Sequence, residues 1–189
     1  MSNRRYDPQR RDRIIDAALD SIAADGVAGT SHRKVALLAD VPLGSMTYHF
    51  ASMDELLVEA FTRFAGRISE AFEARLNAAP DQQAAIEAIV SLIHEDLQRS
   101  RAEHVVTYEL YTLAARNPDF RSITQAWMRA SRRALQRHFD PTTARRLDAY
   151  IEGAALHIAL DPDPQTTEDT RAALLLLTNA SPARRTRRL

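Results

Sequence analysis

The chain has 189 residues, 45% of them hydrophobic and 26% charged, enough to bury a core and too apolar to remain disordered. It has no cysteine, which excludes disulfides, zinc fingers, iron–sulfur clusters and thiol nucleophiles. Its 25 basic residues balance 25 acidic ones, and that neutrality at first argues against a nucleic-acid partner. The sum hides an asymmetry. Residues 1–13 carry Arg4, Arg5, Arg10, Arg11 and Arg13 against Asp7 and Asp12, a net +3. Residues 181–189 add Arg184, Arg185, Arg187 and Arg188, a net +4, so 14–180 carries −7. The longest purely aliphatic run, Ala172 to Leu177, falls far short of the ~20 residues of a membrane span. No apolar segment follows Arg4 and Arg5, so no signal peptide is expected and the expected location is the cytoplasm.

The pattern is helical almost throughout: glycine is scarce, and no stretch alternates with period two. Asp7–Pro8 reads as a helix start. Ile14, Ala17, Ala18, Ser21 and Ile22 then form one face, and Gly26 ends that helix. Ser31 caps a second helix with Val35, Leu38 and Ala39 facing inward, and a short third helix after Pro42 and Gly44 runs to Phe50. Ser52 caps a long fourth helix with the stripe Leu57, Phe61, Phe64, Ile68, Phe72 and Leu76, broken at Asn77–Pro80. Further helices are marked by Ile86, Ile89, Val90, Ile93 and Leu97; by Val106, Leu110 and Leu113; and by Phe120, Ile123, Trp127, Ala130, Ala134 and His138. Leu147, Ile151, Ala154, Ala155 and Ile158 mark the next, and Thr166 or Thr167 caps a last helix through Leu177. Ser181–Leu189 reads as a basic disordered tail.

The informative stretch is SHRKVALLADVPLGSMTYHF, Ser31 to Phe50. Two short helices are separated by Ala39-Asp40-Val41-Pro42, with Val35, Leu38, Val41 and Met46 placed to hold them together: the layout of a helix-turn-helix. The second helix exposes Leu43, Ser45, Thr47, Tyr48 and His49, none acidic, and short hydroxyls bond base edges or phosphate oxygens equally well. Arg33 and Lys34 lie in the first turn of the preceding helix, within reach of a DNA backbone. Two short helices with a turn also occur in proteins that never touch DNA, so the pattern alone admits both.

Beyond that pattern, IIDAALDSIAADG, TSHRKVALLADVPLGSMTYHF and DELLVEAF, spanning Ile14 to Phe61, resemble the DNA-binding domain of the tetracycline-repressor (TetR) family of transcriptional regulators. The resemblance implies an all-α fold. A three-helix N-terminal helix-turn-helix DNA-binding domain, residues 1–52, would join a larger helical ligand-binding and dimerisation domain, residues 53–180, with about nine helices in all. It implies that Ser31 caps its helix and offers a hydroxyl to phosphate, and that Arg33 contacts phosphate or base. Gly44 and Ser45 would open the recognition helix, with His49 and Phe50 closing it and Phe50 a core anchor. The expected DNA-binding set is therefore Ser31, Arg33, Lys34, Leu43, Gly44, Ser45, Thr47, Tyr48 and His49. Two positions depart from the family. Its usual Tyr is Thr47 here, with Tyr48 one place later, and its usual phosphate-binding Lys before the fourth helix is Met53. Tyr48 is expected to replace the first contact and the Arg-rich N-terminus to offset the second.

The resemblance also implies a homodimer on double-stranded operator DNA, because two half-sites lie one helical turn, roughly 34 Å, apart. Its interface is expected on the last two helices, at Leu147, Ile151, Ala155, Ile158, Leu174, Leu175 and Leu177. An unknown small-molecule effector is expected among Phe64, Phe72, His94, His104, Tyr108, Tyr111 and Trp127, a mixture suited to an apolar cavity with a few orienting polar groups. Glu109 beside Tyr108 and Tyr111 would favour a cationic effector. No cofactor, metal, membrane or catalytic residue is expected. His94 and Glu95 are adjacent and diverge by about 100° on a helix, and no HExxH, Gly-rich phosphate loop or serine elbow occurs. The alternative is a helical protein-binding adaptor whose helix-turn-helix has lost DNA, against which the hydroxyl-rich, acid-free helix argues.

Overall fold

The computed structural model describes residues 9–96 and 101–179. Among them are nine α-helices, one π-helical turn and no strand. In chain order these are α1 (Arg10–Asp25), α2 (His32–Leu38), α3 (Leu43–His49), α4 (Met53–Ala78) and α5 (Gln82–Ser91), which runs into the π turn Leu92–Asp96. Then follow α6 (Arg101–Arg116), α7 (Pro118–Leu135), α8 (Pro141–Leu160) and α9 (Thr167–Asn179). The Asp7–Pro8 helix start, Leu97 and the basic tail at 181–189 lie outside the described residues.

Local chemistry sets the boundaries. Ser31 Oγ accepts from Lys34 N at 3.3 Å, Asp81 Oδ1 from Ala84 N at 2.8 Å, and Asp140 Oδ1 from Thr142 N at 2.9 Å, with Pro141 opening α8. At α4, Ser52 Oγ accepts from Glu55 N at 3.1 Å while Glu55 Oε2 accepts from Ala51 N at 2.6 Å, a reciprocal cap. Thr166 and Asp169 repeat that exchange at α9, both bonds 3.1 Å long. The bonds from the Thr143 hydroxyl and amide hold the Asp140 carboxyl below its ordinary range, and those from Thr166 do the same for Asp169. Gly26 closes α1 at φ 71, a conformation that excludes most side chains, and its N–H donates to Ile22 O at 2.8 Å.

The chain forms two compact units. The first comprises Met1–Ile68 and Ala102–Trp127. In it, Ile14, Ile15, Val35, Met46, Phe50 and Leu56 make the core of α1–α3 and the start of α4. A second cluster joins Ile22, Leu57, Phe61 and Phe64 to Val106 and Leu110 of α6 and to Phe120 and Ile123 of α7. The other unit comprises Ser69–Arg101 and Met128–Leu189, around Phe72, Leu76, Ile89, Ile93, Leu135, Phe139, Leu147 and Leu174. Arg132 Nε bonds the buried Asp148 Oδ2 at 2.7 Å there, and Arg171 grips Glu87 with two bonds of 2.8 and 3.0 Å. Those bonds pull the Glu87 carboxyl below its usual range.

Two local expectations change. Leu38 is 52% exposed, because the buried arc of α2 runs through Val35, Ala36 and Ala39 and leaves position 38 outside it. The helix expected at 86–97 widens into a π turn at Leu92, the segment in which His94 Nε2 meets Thr170 Oγ1 at 2.7 Å.

Candidate nucleic-acid interface and ligand site

The α2–α3 pair turns at Asp40, which takes φ 51, a left-handed conformation that Asp tolerates better than most residues. Val41 N then donates to Ala36 O at 3.0 Å and Ser45 N to Pro42 O at 2.8 Å, locking the turn. The helical repeat divides α3 into two faces. Met46 is buried, Ser45 is nearly so and His49 is half-buried, whereas Leu43, Gly44, Thr47 and Tyr48 are exposed. Tyr48 is 83% exposed, and its ring meets the edge of His49 at 4.9 Å. Thr47 donates its hydroxyl proton to Gly44 O at 3.3 Å.

The cations near this surface are unequally available. Arg33 is exposed, while Lys34 Nζ is paired with Asp25. Arg11 pairs with Glu59 and lies 5.0 Å from the Phe50 ring centroid, and Arg13 Nε reaches Ala39 O at 3.5 Å. Arg4 and Arg5 lie outside the described residues. Met53, at the departed lysine position, packs half-buried against the α1–α3 core.

Helix α6 has two faces. Val106, Leu110 and Ala114 enter the first unit's core, and His104, Tyr108 and Tyr111 follow one another at i, i+4 and i+7 on another face. His104 stacks on Tyr108 at 6.0 Å and 8°; Tyr111 meets Trp127 at 6.1 Å, and Trp127 meets Phe64 edge-on at 5.9 Å. Phe64 itself is buried. His104 Nε2 is buried without a hydrogen bond among the described residues, and burial lowers the pKa of the ring below 6.5 despite the nearby Glu103. Glu109 is not on that aromatic face: its Oε1 lies against Gly26, 2.6 Å from where a Cβ would stand. Phe72 and His94 belong to the second unit, Phe72 in its core and His94 on Thr170.

In α8 and α9, Leu147, Ile151 and Leu174 are buried in the chain's own core, and Ile158, Leu175 and Leu177 are half-buried against it. Ala155 is half-buried as well. The outward apolar residues are instead Leu156, Leu160 and Leu176, the last two 68% and 72% exposed.

Known proteins agree with this geometry. Residues 14–60 match the sequence model of bacterial regulatory proteins of the tetR family, and residues 80–180 match that of the tetracyclin repressor-like C-terminal domain. The chain belongs to the TetR family. SCO7518 of Streptomyces coelicolor A3(2) is 51% identical, with a TM-score of 0.86 over 90% of this chain and 99% of that one. The multidrug binding protein EbrR, solved with ethidium, is 39% identical, with a TM-score of 0.76 over 89% of this chain and 98% of that one. A curated relative, the nicotine-responsive transcriptional repressor HdnoR of Paenarthrobacter nicotinovorans, is 25% identical across 82% of this chain and 87% of its own length. The TetR-family chain is thus a transcriptional regulator with an N-terminal helix-turn-helix. Among the described residues, no helix is long and apolar enough to cross a membrane, and no group of three acids and histidines could hold a metal. The α6 contact with Gly26 was the feature hardest to find from sequence, for the two positions lie 83 residues apart; the glycine at a helix end was its only signal.

Proposed function

We propose that this TetR-family regulator represses transcription as a homodimer, with α3 of each subunit in the major groove of a palindromic operator and α2 against the backbone. The carrying observation is the outward face of α3, which offers hydroxyl, aromatic and apolar groups and no carboxylate beside phosphate. Ser31, Arg33, Lys34, Leu43, Gly44, Ser45, Thr47, Tyr48 and His49 remain the contact set, with Arg33 and Tyr48 the most accessible of its long side chains. The homodimer uses the outer faces of α8 and α9, where Ala149, Gly153, Leu156 and Leu160 recur at i, i+4, i+7 and i+11 and Leu176 is exposed.

A small-molecule effector held against His104, Tyr108, Tyr111 and Trp127 releases the dimer from DNA. EbrR's complex with ethidium favours a planar aromatic ligand for these rings. Release requires that the effector bind one conformation more tightly than the other. The test titrates the full-length chain with the DNA flanking its own coding region across a salt series, then adds candidate effectors while following Trp127 fluorescence. Specific binding that weakens steeply with salt, and dissociates as the Trp127 signal changes, is expected. A folded dimer that ignores this DNA at low and moderate salt refutes the reading and favours the adaptor alternative.

A further inference from the structure

The major groove offers each base a distinct partner. Arg or Lys pairs with guanine, Asn or Gln with adenine, Glu or Asp with cytosine, and apolar groups touch the C5-methyl of thymine. Helix α3, Leu43-Gly44-Ser45-Met46-Thr47-Tyr48-His49, contains none of the six residue types that read guanine, adenine or cytosine in this way. Its outward face is nevertheless open. Leu43 is 54% exposed and Tyr48 83%, and Gly44 between them has empty space where a Cβ would be, so a base edge approaches Leu43 without a neighbouring side chain in the way. Much of the polar capacity is already used or turned inward. Ser45 is nearly buried, His49 is half-buried, and the Thr47 proton is held by Gly44 O. A leucine this exposed at the start of a helix contributes nothing to the core, since the α1–α3 core is filled by Val35, Val41, Met46 and Phe50.

We infer that the chain recognises its operator through thymine methyl groups packed against Leu43, with Tyr48 as the flanking contact, and not through paired hydrogen bonds from α3. This rests on the DNA-binding reading and specifies its chemistry. Bases read by Leu43 are thymines, and the same position tolerates no loss of the C5-methyl.

The experiment enriches duplexes from a randomised library with the full-length chain, then remakes the enriched duplex with deoxyuridine in place of every thymidine. Both duplexes are titrated with the wild type and with Leu43→Ala at one salt concentration. Loss of one buried methyl is expected to weaken binding about fourfold, and about sixteenfold when both half-sites lose one. Leu43→Ala binds the thymine duplex less tightly and loses most of that further penalty, which separates the leucine contact from any change in DNA shape. Equal binding of the two duplexes by the wild type overturns the inference, as does a full uracil penalty in Leu43→Ala. Failure to enrich any sequence overturns the DNA-binding reading itself, and this inference with it.

Discussion

Replacing Gly26 by Ala separates two effects that meet at the end of α1. The backbone there has φ 71 and ψ 175, a region populated almost only by glycine, where another residue costs about 1–3 kcal/mol. A Cβ would also stand 2.6 Å from Glu109 Oε1 and 3.5 Å from its Cδ. The second effect is the smaller, because a carboxylate at the end of a flexible side chain changes rotamer at little cost, whereas the backbone has nowhere to go. The same residue's carbonyl accepts from Thr30 Oγ1 at 2.9 Å, and Thr30 shares a 3.0 Å bond with Ser21, so relaxation of φ would break further contacts. Gly26→Ala is therefore expected to cost about 1–3 kcal/mol and, for a chain of this size, to lower Tm by roughly 3–10 °C. Glu109→Ala should be close to neutral, and the double variant should match Gly26→Ala within about 0.5 kcal/mol. Thermal and urea unfolding of all four proteins, at one subunit concentration, measures the cycle. A neutral Gly26→Ala, or a double variant that recovers most of the loss, refutes the dominance of the backbone effect.

Tyr48→Ala should weaken binding to operator DNA far more than to random DNA; equal losses would make Tyr48 a phosphate contact. Arg33→Gln should reduce the slope of log K against log salt by about 2 for a dimer, whereas Arg11→Gln should leave it unchanged, because Arg11 is held by Glu59 and Phe50. Equal slope changes would show that Arg11 leaves its partners for DNA. His104 has its pKa lowered by burial, so the folded protein prefers the neutral ring. Its contribution to stability is present above the ordinary value of 6.5 and is lost as pH falls through the folded pKa, and unfolding of His104→Phe measured from pH 7.5 to 5 should lack that fall. Identical pH profiles for the two proteins would refute the assignment. Leu160→Glu or Leu176→Glu should raise the dimer dissociation constant with little change in the subunit's fold, as sedimentation would show; Leu147→Ala should instead cost about 2–5 kcal/mol of folding stability.

What was legible in the sequence is what short-range chemistry decides. Ser31, Ser52, Asp140 and Thr166 cap helices through bonds to amides two or three residues away, so the helix order and the helix-turn-helix followed from neighbours alone. Periodicity fails where a helix has more than one apolar face. Leu174 to Leu177 is apolar all round, and only packing against Ile86, Ile89 and Leu147 decides that Leu174 turns inward and Leu176 outward. Helix α6 poses the same problem: its core face and its aromatic face are equally helical in spacing, and their division depends on Ile22 and Phe61, far away in the chain. Charge counting meets a related limit. The basic start predicted phosphate contacts from every arginine there, yet Arg11 answers Glu59 and Arg63 answers Asp12 and Asp16, so both signs are partly consumed within the fold. A cation attracts phosphate only to the extent that no carboxylate already holds it, and that depends on residues about 50 positions away. Neutral composition and an exposed Arg33 are therefore compatible: the field that DNA meets is set by the ions left over after folding, not by their sum.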